Sequence, residues 1–78
     1  MKLEIITPET TLFQGTAAAL VVPGTDGFIG ILDHHAPLIS TLKAGEIKIT
    51  DEKGANTFFP INGGVVEVLA NKVIVLAD

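Results

Sequence analysis

The sequence predicts an all-β protein, and three observations lead there. Apolar and polar residues alternate with period 2 at Lys2–Thr7 and again at Glu46–Thr50, the pattern of half-buried strands. No window repeats apolar residues at i, i+3, i+4 and i+7 beside a polar face, as an amphipathic helix requires. Turn residues recur every roughly 8–12 positions, the rhythm of a sandwich or barrel. About eight to ten short strands then pack naturally as a flattened sandwich of two antiparallel sheets.

The elements read in order as follows. In Lys2–Thr7, Leu3 and Ile5 share one face and Lys2 and Glu4 the other, until Pro8-Glu9 breaks the run. Thr11–Gln14 is a short strand that Gly15 turns or bulges. Ala17–Val22 is continuously apolar, as suits a strand buried on both faces or facing a partner, and Pro23-Gly24 stops it. Phe28–Leu32 follows Gly27, and Leu38–Leu42 follows Pro37 and ends at Ala44-Gly45. Glu46–Thr50 points Ile47 and Ile49 inward, and Asp51-Glu52-Lys53-Gly54 has the composition of a hairpin loop. Thr57–Ile61 and Val65–Ala70 are strands separated by Asn62-Gly63-Gly64. Asn71-Lys72 marks a tight turn before the closing strand Val73–Ala77.

A chain of 78 residues is one domain, residues 1–78, with no linker, repeat or low-complexity stretch. A domain this small buries only about 60% of its unfolded surface, which leaves little core for an enclosed catalytic pocket. Mean hydropathy is +0.52, high enough that part of the apolar surface is expected to be covered by a partner. The five basic residues, Lys2, Lys43, Lys48, Lys53 and Lys72, are scattered in a chain of net charge −4. Phosphate contacts need a clustered basic face, so nucleic acid is not an expected partner. An anionic membrane surface attracts such a chain little, and no stretch approaches the ~18 apolar residues of a membrane span, so no direct membrane insertion is expected. Cysteine is absent, which removes disulfide and thiol chemistry. The N-terminal residues enter a strand pattern at once and carry no signal-peptide features.

The densest polar cluster is Asp33-His34-His35. Two imidazoles and a carboxylate are zinc-type ligands. Neighbours on an extended chain point in opposite directions, however, and the sequence offers no further His or Cys, so no metal is expected. A general base at His35 would need an orienting group and a nucleophile, and the single serine, Ser40, lies in no nucleophile motif. Gly24, Gly27 and Gly30, spaced by three, form no dinucleotide fingerprint, since no helix follows them. They read as turn glycines. No catalytic residue and no cofactor is assigned.

The residues do match one known family in order and spacing. The matching blocks are Thr7-Pro8-Glu9 with Leu12-Phe13-x-Gly15, Pro23-Gly24-x-x-Gly27-x-x-Gly30, Ile31-Leu32-x-x-His35-Ala36-Pro37-Leu38, Leu42-x-x-Gly45, Gly63-Gly64-x-x-Glu67-Val68, and Val73-x-Val75-Leu76-Ala77-Asp78. Over essentially the whole chain this resembles the ε subunits of F-type ATP synthases, with His35-Ala36-Pro37-Leu38 the most specific block.

The resemblance implies a non-catalytic rotor subunit at the foot of the central stalk, docked on the γ subunit and the ring of c subunits. It couples ion-driven rotation to ATP synthesis elsewhere in the complex. The implied location is peripheral, on the cytoplasmic face of a bacterial inner membrane. By similarity, the stretch from Gly27 to Leu38 faces the ring and γ, with Phe28, Asp33 and His34 as direct contacts. Gly27 and the other glycines, with Pro37 and Leu38, shape that loop, Ala36 lies in the same interface stretch, and His35 does either. Relatives often carry Pro at the position of Asp33 and an acid at that of Phe28, so a salt bridge there does not carry over. Family members usually continue into an inhibitory helical hairpin, which in some relatives binds ATP. The sequence ends at Asp78, so the expectation here is coupling without hairpin inhibition and without an ATP site.

Two rival readings stand beside this one. A free-standing sandwich that binds a small ligand predicts a concave pocket lined by aromatics. A small enzyme built on Asp33, His34 and His35 predicts those three side chains converging within hydrogen-bond reach.

Overall fold

The computed structural model describes all residues, Met1–Asp78, and every regular element in it is a strand. These are β1 (Lys2–Ile6), β2 (Thr11–Thr16), β3 (Ala19–Gly24), β4 (Gly27–Leu32), β5 (Leu38–Thr50), β6 (Asn56–Leu69) and β7 (Lys72–Ala77). The all-β class holds, with seven strands instead of eight to ten. Two pairs of expected strands have fused. Ala44-Gly45 does not end a strand but lies inside β5, and Asn62-Gly63-Gly64 lies inside β6.

The fused strands explain how one sheet makes a sandwich. All seven strands hydrogen-bond in the order β2-β1-β7-β6-β5-β3-β4. At about 3.3 Å per residue, the 13 residues of β5 would reach about 40 Å if straight, whereas the molecule is 27 Å across at its longest. The β5–β6 hairpin must therefore bend. It stays paired from Leu38↔Val68 to Thr50↔Asn56 while doing so.

One layer comprises β2, β1, β7 and the adjoining halves of β6 and β5. The other comprises the remaining halves with β3 and β4. The expected two sheets are thus two leaves of a single sheet. It is mixed rather than purely antiparallel, because β1 and β7 run parallel, Leu3 beside Val73 and Ile5 beside Val75.

Glycine takes the corner. Gly63 and Gly64 have φ of +145° and +147°, conformations that L side chains rarely adopt. A Cβ on Gly64 would lie 2.1 Å from the Leu76 carbonyl oxygen. Pro23, expected to stop its strand, instead lies inside β3. It falls where the pairing with β5 slips between Val21 and Gly24, so its missing N–H interrupts no regular ladder. The β6–β7 connection is Ala70-Asn71, one residue earlier than expected. Both residues have positive φ, 51° and 59°, as a two-residue type I′ turn requires. The 51–54 loop is as expected. The Asp51 carboxylate accepts the Lys53 and Ala55 N–H groups at 2.8 and 2.9 Å.

Alternation supplies the core. Leu3, Ile5, Val66, Val68, Val73 and Val75 from one leaf join Leu20, Val22, Ile31, Ile47, Ile49 and Ile61 from the other in a single buried cluster. No polar side chain is buried with them. Phe13 of β2 and Phe59 of β6 meet edge to face, with ring centroids 5.9 Å apart, and tie the leaves together at one side.

Candidate interaction site

The stretch from Gly27 to Leu38 is not one loop. Its first half is β4, so Gly27 and Phe28 lie at one end of a strand and Asp33 at the other, about 16 Å apart. The candidate residues therefore form two groups.

At the first end, the β3–β4 hairpin is pinned to β5. The Thr25 N–H donates to the Thr41 carbonyl at 3.0 Å, and the two threonine hydroxyls lie 2.7 Å apart. Gly27 takes φ of +137°. Phe28 then stands 77% exposed, the most exposed large apolar side chain of the protein. It borders an open groove of 390 Å³ floored by Val21, Pro23 and Gly45, with Phe58 lining it as well. Lys43, Glu46 and Lys48 also line it.

At the second end, the N-terminus, Ala17 and the Asn71 turn gather around Asp33-His34. The Met1 ammonium, itself buried, donates to the Asp33 carboxylate and, at 3.0 Å, to the Ala17 carbonyl. The His34 N–H donates to Asn71 Oδ1 at 2.7 Å, and His34 has φ of +61°. The hydrogen bond from the ammonium holds the Asp33 carboxyl below its ordinary value. Partial burial opposes this, while the positive charge, His34 and Asn71 add to it. The His35 N–H closes a turn onto the Leu32 carbonyl, and its Nδ1 lies 2.7 Å from the Ala36 carbonyl oxygen. Ala36 and Pro37 are exposed and Leu38, which opens β5, is half-buried.

This geometry does not assemble a catalytic constellation. Asp33, His34 and His35 share no hydrogen bond: the first turns to the N-terminus and the His35 ring to its neighbour's carbonyl. The Ser40 hydroxyl donates to the Thr41 carbonyl at 3.3 Å, away from both histidines. No three His, Cys, Asp or Glu residues lie together in a metal-holding group. The Phe28–Phe58 groove is shallow and open, unlike the enclosed aromatic pocket of a small-ligand module.

Several exposed apolar residues escaped sequence reasoning. Leu32 (65%), Ile39 (72%) and Leu69 (59%) belong to the second end, and Phe58 (53%) to the first. The signal was present. Each is an outward-facing neighbour of an inward apolar residue, so two large apolar residues in succession mark a strand whose outer face is also apolar.

A family model described as the β-sandwich domain of the ATP synthase delta/epsilon chain matches residues 1–78. Among curated relatives, the ATP synthase epsilon chain of Alkalilimnicola ehrlichii is 42% identical over 78 residues, covering 100% of this chain and 56% of that protein. That of Moorella thermoacetica is 41% identical over 78 residues, covering 100% and 58%. That of Chlorobium limicola is 38% identical over 77 residues, covering 99% and 88%. The chain thus spans little more than half the length of the first two and most of the third. Among solved structures, a chain of the Euglena gracilis mitochondrial ATP synthase (OSCP/F1/c-ring) aligns with a TM-score of 0.90 at 22% identity, covering 96% of this chain and 48% of that one. A chain of the Tetrahymena thermophila mitochondrial ATP synthase central stalk and c-ring aligns at 0.80 and 18%, covering 97% and 61%. At these identities the structural likeness is one of fold.

Proposed function

This chain belongs to the ATP synthase delta/epsilon family, whose β-sandwich domain it matches from end to end, and from that premise we propose that it is a non-catalytic rotor element docked between a γ subunit and a c-ring. In that position it couples ion-driven rotation of the ring to the catalytic head without doing chemistry itself. The match along the whole of this chain to proteins named epsilon chains is the observation that carries the reading.

The physical design supports it. An element that transmits torque must resist shear, and here one continuous β5–β6 ladder runs through both leaves. An adhesive surface must be apolar yet held in shape before docking, so that little entropy is lost. Both ends of β4 meet that need. Phe28 stands on a hairpin tied to β5, and the Asp33–Leu38 segment is clasped by Met1 and Asn71. Phe28, Asp33 and His34 make direct contact in this proposal. Gly27, Ala36, Pro37 and Leu38 set the backbone, and His35, whose ring is turned to Ala36, belongs with them. The complex is membrane-associated, and the proposal puts this subunit on the cytoplasmic face of a bacterial inner membrane.

The test is co-purification at native salt with γ and the c-ring. Phe28→Ala and His34→Ala should each reduce recovery of both partners while leaving the melting temperature close to wild type. Equal loss of binding and stability would assign those residues to folding instead.

A further inference from the structure

The two outer strands of the sheet are not alike. β2 pairs with β1 across a register shift between Ile5 and Ile6, and the Thr7–Thr10 turn closes beside it. That irregularity blunts the edge. β4 has no such protection. All six of its residues pair with β3 without a shift, and β3 is its only ladder partner. Beyond that ladder, its only backbone hydrogen bond is from the His35 N–H to the Leu32 carbonyl. Gly27–Leu32 contains no charge and no proline, the residues that ordinarily keep a free edge from pairing.

The strand is also complementary to itself. Antiparallel pairing of two copies about Gly30 sets Phe28 opposite Leu32, Ile29 opposite Ile31, and Gly30 opposite Gly30. Phe28 and Leu32 are 77% and 65% exposed and lie on the same outer face, so each gains an apolar neighbour across the interface. Ile29 and the buried Ile31 continue the core face. At Gly30 a Cβ would meet nothing within 4 Å, so a side chain fits there in the single copy. Sliding by two residues sets Phe28 or Leu32 opposite Gly30 and loses the apolar pair. Sliding by one reverses the faces.

We infer that the free edge of β4 is a self-association site, where a second copy of this chain adds its own β4 in antiparallel register centred on Gly30. The observations behind it do not depend on the rotor reading, but the patch shares Phe28 with the surface proposed for γ and the c-ring, so the two occupants exclude one another there. A two-fold interface of this kind uses the same patch on both copies. One short strand buries little area, so the dimer is weak and depends on concentration.

Because the chain contains no cysteine, single cysteines report the register directly. Residues directly opposite in an antiparallel pair have Cα atoms about 4.5 or 5.5 Å apart, within the reach of a disulfide. Under mild oxidation, Gly30→Cys should cross-link to itself. Phe28→Cys and Leu32→Cys should cross-link several-fold better mixed than alone, and Leu12→Cys on the opposite edge should not cross-link. By sedimentation, wild type should shift from monomer to dimer with concentration, while Gly30→Lys, which opposes two like charges, should stay monomeric with an unchanged circular dichroism spectrum. Wild type that stays monomeric at about 1 mM overturns the inference. So does Phe28→Cys linking to itself as well as to Leu32→Cys, or Leu12→Cys linking as well as Gly30→Cys. An edge that pairs only with a different polypeptide, never with its own copy, overturns it too.

Discussion

Gly64→Ala tests the corner on which the sandwich depends. The native φ of +147° belongs to a region almost confined to glycine, and holding another residue there costs about 1–3 kcal/mol. The new methyl would also sit 2.1 Å from the Leu76 carbonyl oxygen and 3.0 Å from Ala77 Cα, which are backbone atoms that cannot rotate away. β7 must withdraw, and each ladder hydrogen bond lost between β6 and β7 costs about 0.5–1.5 kcal/mol. With one or two such bonds broken, the total is about 1.5–6 kcal/mol. A 78-residue domain has roughly 4–12 kcal/mol of stability altogether. In a domain this size 1 kcal/mol moves the melting temperature by about 4–8 °C, so a fall of at least about 6 °C is expected by circular dichroism. Gly30→Ala is the comparator. Its methyl enters open space at an ordinary φ, and its melting temperature should hold or rise slightly through the reduced entropy of the unfolded chain. A Gly64→Ala protein melting within about 3 °C of wild type would refute the argument that glycine makes the bend.

Other perturbations test other links. Ile47→Ala removes a fully buried side chain from the joined core and should cost about 2–5 kcal/mol in urea unfolding; a loss below about 1 kcal/mol would mean the leaves do not pack around it. Asp33 has a folded-state value below its ordinary 3.8, so its contribution to stability is present above about pH 4 and is lost as pH falls through the folded value. Asp33→Asn should therefore flatten the acid limb of the stability curve, and an unchanged limb would remove the Met1–Asp33 ion pair from the account. Asn71→Ala deletes the acceptor of the His34 N–H and a residue suited to positive φ, and should speed amide exchange at His34. Unaltered exchange there would show that the clasp does not hold the segment.

Sequence reasoning succeeded where the physics is local. The alternation of Leu3 with Ile5 and of Ile47 with Ile49 names core residues directly, and Asp51 and Gly54 carry their own loop geometry. It failed where one residue type serves two purposes. Glycine at 45, 63 and 64 signals a strand end or a bend equally well, and the unbroken β5–β6 pairing within a molecule 27 Å long shows the bend. The parallel pairing of β1 with β7 joins the two ends of the chain, and no local pattern encodes it.

The site was legible by the same rule. The order of residues picked out Phe28 and the Asp33–Leu38 segment. It did not reveal that β4 separates them, or that Met1 and Asn71 clasp Asp33 and His34, since those partners lie 32 and 37 residues away in sequence. Phe58 was overlooked because its neighbour Phe59, packed against the core, accounted for the apolar pattern.

Reconstitution tests the central claim most directly. The chain is mixed with purified γ subunit and c-ring at native salt, and the bound fraction is measured for wild type and Phe28→Ala. The account predicts a stoichiometric complex for wild type and reduced occupancy for the variant, with both proteins folded. Wild type that is folded yet fails to bind either partner would contradict it.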